Sequence, residues 1–361
     1  MLACPCFGAF GFNRAITVNS SQVIGGPHSS FAMRVAGTHA YLATFTNGGN
    51  VQDAQGDDIQ FFSNSDCATG KLDWERELYV ATTGQIEFQV RISSIDTGSV
   101  IYMCYGDASE TADESNPTGV WNSAYLGRWS LKDGTTLSAA DSTSGATNGT
   151  VGSATAAAGQ VDGGADTTAG AITLGSSPTT IRPTTAITIE AWIKLGVTGS
   201  SQSNYSHIVL YPYGDGSSNP FISYGLMINN PNFTAGALSF WWGNTTSNYQ
   251  YGLSSNVDTN WHHVAVTADT SGTILYVDGA AVSGSYLTTT QAAAISYTTG
   301  STPQIGGIDG IVDEARISNV VRSANWIQST YNSNLDPSSF YTIGSENVLA
   351  TATMYRRIIR Q

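Results

Sequence analysis

Charged side chains are scarce in this sequence. Asp, Glu, Lys and Arg make up 11 % of its 361 residues, and only 14 of them are basic. Helix bundles draw on Glu, Lys, Leu and Arg, so this balance argues against one as the main architecture. Acidic residues outnumber basic ones and leave a formal net charge of −13. Such a surface repels phosphate backbones, and no nucleic-acid partner is expected. Long apolar runs are missing too: nowhere do about 18 apolar residues follow one another, so no membrane span is expected. Four cysteines (Cys4, Cys6, Cys67 and Cys104) do not make a disulfide scaffold in a chain of this size, and they read as reduced thiols. The apolar segment from Met1 to Phe12 has no basic residue and is broken by Pro5, Gly8 and Gly11, which makes it a poor export leader.

What remains is rich in Gly, Ser, Thr, Ala and Asn, with Trp and Tyr plentiful. Small polar and β-branched residues suit antiparallel strands joined by tight turns. Alternating runs bear this out along the chain. Arg14-Ala15-Ile16-Thr17-Val18, Phe31-Ala32-Met33-Arg34-Val35 and Ile86-Glu87-Phe88-Gln89-Val90-Arg91-Ile92 alternate with period two, which predicts a β-sandwich over 14–107. Residues 108–123 lack periodicity and read as a linker. Farther on, Ala186-Ile187-Thr188-Ile189-Glu190-Ala191-Trp192-Ile193-Lys194 predicts a strand with Ile187, Ile189, Ala191 and Ile193 inward. Trp261–Thr267 and Thr273–Gly279 predict a hairpin, with Asp278-Gly279 supplying the following turn. In Ile308–Ser318 the faces divide as Ile311, Asp313, Ala315 and Ile317 against Val312, Glu314 and Arg316. Ser323 then N-caps a short helix carrying Trp326, Ile327 and Tyr331.

A closing strand followed by one short helix resembles the C-terminal signature of laminin-G-like, concanavalin-type jelly rolls. Residues 14–107 resemble a domain of unknown function that commonly precedes such modules. That likeness is carried by Asp57–Phe62, Leu72–Glu77, Glu87–Val90 and Ile101–Asp107 in that order. The resemblances imply an all-β protein: an N-terminal docking arm (1–13), a β-sandwich (14–107), the linker, a laminin-G-like jelly roll (124–333) and a C-terminal tail (334–361). Such modules mostly bind glycans or proteins and only sometimes catalyse.

Catalytic patterns are thin. Glu75 and Glu77 share one strand face, but that face reads as solvated, and the paired-acid strand of jelly-roll glycosidases is missing. His262 and His263 are neighbours, so only one can face a given site. Glu190, His262, His263 and Asp313 are not expected to converge in a cleft, and no catalytic residue is assigned. For calcium, Asp162-Gly163-Gly164-Ala165-Asp166 sits where relatives carry an Asp-Gly-x-Asp-Asp loop. With Asp313 it makes the metal expectation, although Ala165 stands where a second acid would help. The ligand-binding expectation rests on aromatics: Trp241 outward while Phe240 and Trp242 face the core, with Tyr249, Tyr251, Tyr211 and Tyr213 in exposed rows of the kind sugar rings stack on.

Together these lead us to expect a non-catalytic attachment protein on the surface of a bacteriophage virion, either tail fibre or head decoration, that takes a cell-surface glycan. The apolar arm and the Arg356, Arg357 and Arg360 tail would dock it to other virion or filament subunits, in a homo-oligomer. The alternative is a secreted or surface-displayed bacterial glycan-binding adhesin, and a jelly-roll glycosidase stands third.

Overall fold

The computed structural model describes residues 10–132, 136–217, 220–245, 247–287 and 293–349. The chain is all-β apart from short helices, and it divides into two compact units. One runs to Val120 and takes in the residues from Asp336 onward; the other is Trp121–Leu335.

In the first unit, Phe12–Val18 lies centrally in a sheet of order Tyr341–Ile343, Phe12–Val18, Val100–Tyr105, Gln60–Phe62. A second sheet is built from His28–Thr38, Gln85–Ile95 and Trp74–Val80. Phe61 meets Trp74 and Phe88 edge-on at 6.1 and 5.1 Å, which ties the two sheets' apolar faces together.

Three expectations change here. Phe12 and Asn13, placed in a docking arm, instead pair with Tyr105 and Cys104, and Phe10 is buried against Phe62. Residues 1–9 and 350–361, the rest of the arm and the Arg-rich end, lie outside the described residues. The 334–361 tail is in part structural: Tyr341–Ile343 and Asn347–Val348 pair with the Phe12–Val18 strand, and the Tyr341 hydroxyl satisfies both the N–H and the carbonyl of Ala36. Finally, Cys67 and Cys104 form a disulfide instead of free thiols. Cys104 is buried in its strand, as expected, and the bridge holds the 63–71 turn onto it.

The second unit is a jelly roll of two sheets. The seven-stranded sheet runs Ile172–Thr173, Gln304–Ile305, Ser206–Pro212, Ile222–Ile228, Ala237–Gly243, Asn248–Asn256, Gly284–Tyr286. The eight-stranded sheet centres on Ala186–Leu195, flanked by Trp261–Asp269 and Gly310–Ser318. Ile187, Ile189, Ala191 and Ile193 all enter the core between the sheets, as their alternation predicts. Opposite them lie Trp242, Phe240 and Tyr224.

In the Gly310–Ser318 strand the alternation breaks. Val312, Ala315 and Ile317 are the core residues, whereas the sequence pattern pairs Ile311 and Asp313 with Ala315. Glu314 explains the change. It sits at φ 53°, where the register against Glu190 and Trp192 shifts, so a bulge inserts one residue and swaps the faces before it. The hairpin turn holds as expected: Asp278 and Gly279 have φ of 52° and 77°, the pair of left-handed residues that a two-residue type I′ turn requires. Ser323 caps the Ala324–Leu335 helix through Trp326 N.

Candidate functional site

Register in the seven-stranded sheet decides which aromatics face outward. Directly paired residues share a sheet face. Tyr211 pairs with Tyr224, Tyr224 with Trp242, and Trp242 with Tyr249; Phe240 pairs with Tyr251. That row is the core row. Tyr211 is wholly buried; its hydroxyl accepts from Arg182 Nε at 2.7 Å and donates to the Pro178 carbonyl at 3.0 Å. Tyr249 and Tyr251 pack on the core's rim, and the Tyr251 ring meets Tyr286 edge-on at 4.8 Å. Tyr213 is half-buried beyond a bulge at Tyr211/Pro212. These four do not form an exposed row with Trp241, which lies on the opposite sheet face and is itself 7 % exposed.

Trp241 belongs to a different row, Gln304–Leu210–Gly225–Trp241–Gln250, read straight across five strands on the outer face. Gly225 lets the neighbouring side chains close in, and Met227 and Leu210 lie 3.0 and 3.3 Å from where its Cβ would be. A cavity of about 720 Å³ opens over the row as a trough. Its floor is Leu210 and Trp241, and its polar groups include Gln304 and Asp215. The indole is anchored, since Trp241 Nε1 donates to Asn248 Oδ1 at 2.9 Å. Behind it Gln250 Oε1 accepts from Asn230 and Asn232 at 2.9 and 3.1 Å.

Two further aromatics, Tyr205 and Phe221, flank the trough, and sequence reasoning missed both. They are 39 % and 41 % exposed and sit at φ 62° and 56°. Left-handed backbone costs a residue with a Cβ about 1–2 kcal/mol. Core packing does not account for that at exposed positions. Tyr205 N donates to the Asn229 carbonyl at 3.1 Å, and its ring lies 6.1 Å from Trp241, tilted by 56°. Asp215 is the ionisable side chain lining the trough; Ser217 donates its hydroxyl and its backbone N–H to it and holds its carboxyl below the usual range.

The carboxylates and histidines are placed otherwise. Glu75 and Glu77 are buried, not on a solvated face. Glu190 and His263 do approach, Oε2 to Nε2 at 3.6 Å, but both are 1 % exposed, with no path for substrate. Burial pushes the Glu190 carboxyl up, and burial followed by the charge of Arg316 pushes His263 down to about 3. Beside them Glu314 bridges Arg128 and Arg316, and Trp121 lies between the two guanidiniums at 4.7 and 4.9 Å. His262 is at the surface, bonded to Asp278 and Asp258 at 2.8 and 2.9 Å. Asp313 is elsewhere again: its Oδ2 accepts from the backbone N–H groups of Gln160 and Val161, both at 2.8 Å.

That last pair of bonds bears on calcium. The Asp313 carboxylate clamps the loop directly, Asp166 caps Thr168 N, and Asp162 occupies a turn at φ 63°. Among the described residues no three His, Cys, Asp or Glu side chains are grouped to hold a metal.

Residues 164–328 match the family described as the concanavalin A-like lectin/glucanases superfamily. Solved structures similar to this chain include domain 4 of AbnA, a GH43 extracellular arabinanase from Geobacillus stearothermophilus, in complex with arabinotriose. It is 15 % identical, with a TM-score of 0.42 over 56 % of this chain and 96 % of that one. Another is the binding domain of Paraclostridial Mosquitocidal Protein 1, at 12 % identity and a TM-score of 0.42, covering 58 % of this chain and 52 % of that one. A third is the botulinum neurotoxin serotype C1 binding domain, at 15 % identity and a TM-score of 0.30, covering 42 % of this chain and 37 % of that one. The chain thus spans about half of the second structure and less of the third. No curated protein matches it.

Proposed function

We propose that this protein is a non-catalytic attachment protein whose jelly roll binds a saccharide in the Trp241 trough. The observation that carries this reading is the pair of exposed aromatics, Tyr205 and Phe221, each on left-handed backbone beside a trough lined by Leu210 and Trp241. Strain of this kind persists where the surroundings impose it, and it concentrates at ligand clamps. A sugar's C–H face stacks on such rings while Gln304 and Asp215 meet its hydroxyls. The match of 164–328 to a lectin/glucanase superfamily supports the same reading.

The setting we propose is a particle surface, that of a bacteriophage virion, with the protein as a homo-oligomer and residues 1–9 and 350–361 as docking peptides. A secreted or surface-displayed bacterial adhesin is the second reading. The Cys67–Cys104 bridge suits the oxidising exterior that both require. The experiment is a glycan array with the full chain, followed by titration of the best ligand against Tyr205→Ala and Phe221→Ala. Stacking of this kind is worth about 0.5–1.5 kcal/mol per ring, so each variant should bind roughly three- to tenfold more weakly with an unchanged melting temperature. Full affinity in both variants would refute the trough as the site.

A further inference from the structure

We propose that the first unit carries a separate binding site, for the carboxylate of an acidic sugar, in the cavity between the His28–Thr38 and Tyr341–Ile343 strands. The cavity measures about 460 Å³ and is lined by Arg14, Gly37, His39, Tyr41 and Tyr341 together with the hydroxyl-bearing Ser338 and Thr342. Small-molecule sites occupy roughly 300–1,000 Å³, so a monosaccharide unit fits this space.

Three polar atoms around it lack hydrogen bonds. Arg14 spends Nε on the Tyr105 hydroxyl at 3.1 Å and Nη1 on the Gly344 carbonyl at 2.9 Å, while Nη2 comes no nearer than 3.7 Å to Glu346. Glu346 does not need that contact, because its Oε2 already accepts from Tyr105 at 2.6 Å and from Asn50 at 3.2 Å. The Tyr41 hydroxyl and His39 Nε2 are buried and unpartnered. Buried polar atoms are rarely left so in a folded protein, and a group of them at one cavity marks where a ligand supplies the missing partner.

The chemistry of the three selects the ligand. The guanidinium lies 3.7 Å over the Tyr41 ring, and the His39 ring stacks on the same tyrosine at 5.2 Å. Arg14 is thereby fixed, with Nη2 left to make one hydrogen bond to a carboxylate beside its longer ion pair with Glu346. Burial pushes the Tyr41 phenol up to about 12, so it remains a donor, and burial together with Arg14 pushes His39 down, so it stays neutral. The Arg14 guanidinium, whose charge Glu346 offsets only from 3.7 Å, and one phenolic donor match a single carboxylate; the neutral imidazole and the rim hydroxyls match the hydroxyls of a sugar ring.

The test is NMR of the full chain, following the His39 ring resonance (assigned with His39→Gln) during titration with sodium D-glucuronate at constant ionic strength. Glucose, acetate and inorganic phosphate serve as comparisons. Glucuronate should give a saturable shift and bind at least about tenfold tighter than any of the three. Arg14→Gln should abolish saturation. Tyr41→Phe removes a hydroxyl that has no partner within the protein, so it should fold as wild type and still bind about three- to tenfold more weakly. No saturation with glucuronate, equal binding of glucose, or equal binding of acetate or phosphate would each overturn the proposal. Unchanged glucuronate affinity in a folded Tyr41→Phe chain would do the same.

Discussion

The two adjacent histidines make opposite demands on pH, and His263 makes the larger one. Its imidazole is 1 % exposed, edge-on to Trp192 at 5.4 Å, and held neutral with a folded value of about 3. In the unfolded chain an ordinary imidazole titrates near 6.5. Between these values the unfolded state binds a proton that the folded state refuses, so stability falls as pH drops through that window. From about pH 7 to about pH 5 the loss is about 2 kcal/mol, and carried down to the folded value it approaches about 5 kcal/mol.

Glu190 works against this, since its raised carboxyl takes a proton in the folded state first. Its upward shift comes from burial, with Arg316 and Arg322 opposing it and Glu314 adding to it. Because His263 Nε2 lies 3.6 Å from Glu190, His263→Gln is compared with the parent chain in a Glu190→Gln background, which leaves the histidine as the difference. The variant should lose some stability at every pH through lost packing, but its stability should fall about 2 kcal/mol less than the parent's between about pH 7 and pH 5. Urea-dependent hydrogen exchange on peptides spanning 261–269 reads the unit concerned. Parallel curves for the two chains would refute the argument, because they would mean that His263 is protonated inside the fold.

His262 gives the mirror image. Asp278 and Asp258 hold it at about 9, so the stability it contributes is complete below about pH 6.5 and is lost as pH rises through that higher value; His262→Gln should flatten this alkaline limb, modestly because the site is half exposed, and added salt should shrink it. Gly225→Val should displace the Leu210 side chain that lines the trough and weaken saccharide binding on the array while far-ultraviolet circular dichroism stays unchanged, since an added Cβ meets the flexible ends of Met227 and Leu210 at 3.0 and 3.3 Å. Trp242→Ala empties a fully buried indole from the core, and calorimetry should show about 3–5 kcal/mol of destabilisation, unlike Tyr205→Ala on the rim. Reducing Cys67–Cys104 opens a loop spanning 37 residues of sequence, which by the chain-entropy relation should cost the first unit about 3–4 kcal/mol in denaturant titrations with and without reductant.

Much of the fold was legible because period-two alternation is a local property. Ala186–Leu195 shows all four inward residues in its own sequence. Gly310–Ser318 does so only after Glu314, because a bulge is a relation between two strands and leaves no mark on one of them. The same limit explains the aromatic assignments. Tyr249 and Tyr251 alternate correctly, but which face they take depends on pairing with Trp242 and Phe240. Tyr205 and Phe221 lie in turns, where no periodicity exists to read. Strands that close a sheet from the far end of the chain, as Tyr341–Ile343 does against Phe12–Val18, carry no local signal of their partner. Cys67 meets Cys104 through that same long-range assembly.

The scarcity of charge noted in the sequence has a structural counterpart in the two proposed sites. Several of the few charges are consumed inside the jelly roll, where Arg128, Glu314 and Arg316 are almost wholly buried around Trp121. The trough keeps one ionised lining group, Asp215, exposed to solvent. A neutral saccharide brings no charge to pair with it, so binding there rests on stacking and hydrogen bonds, and ionic strength should leave it nearly unchanged. In the first unit the single guanidinium of Arg14 carries the recognition, so added salt should weaken glucuronate binding there. A salt-insensitive neutral oligosaccharide and a salt-sensitive glucuronate on the same chain would separate the two sites in one experiment. Equal responses would mean that both ligands share one surface.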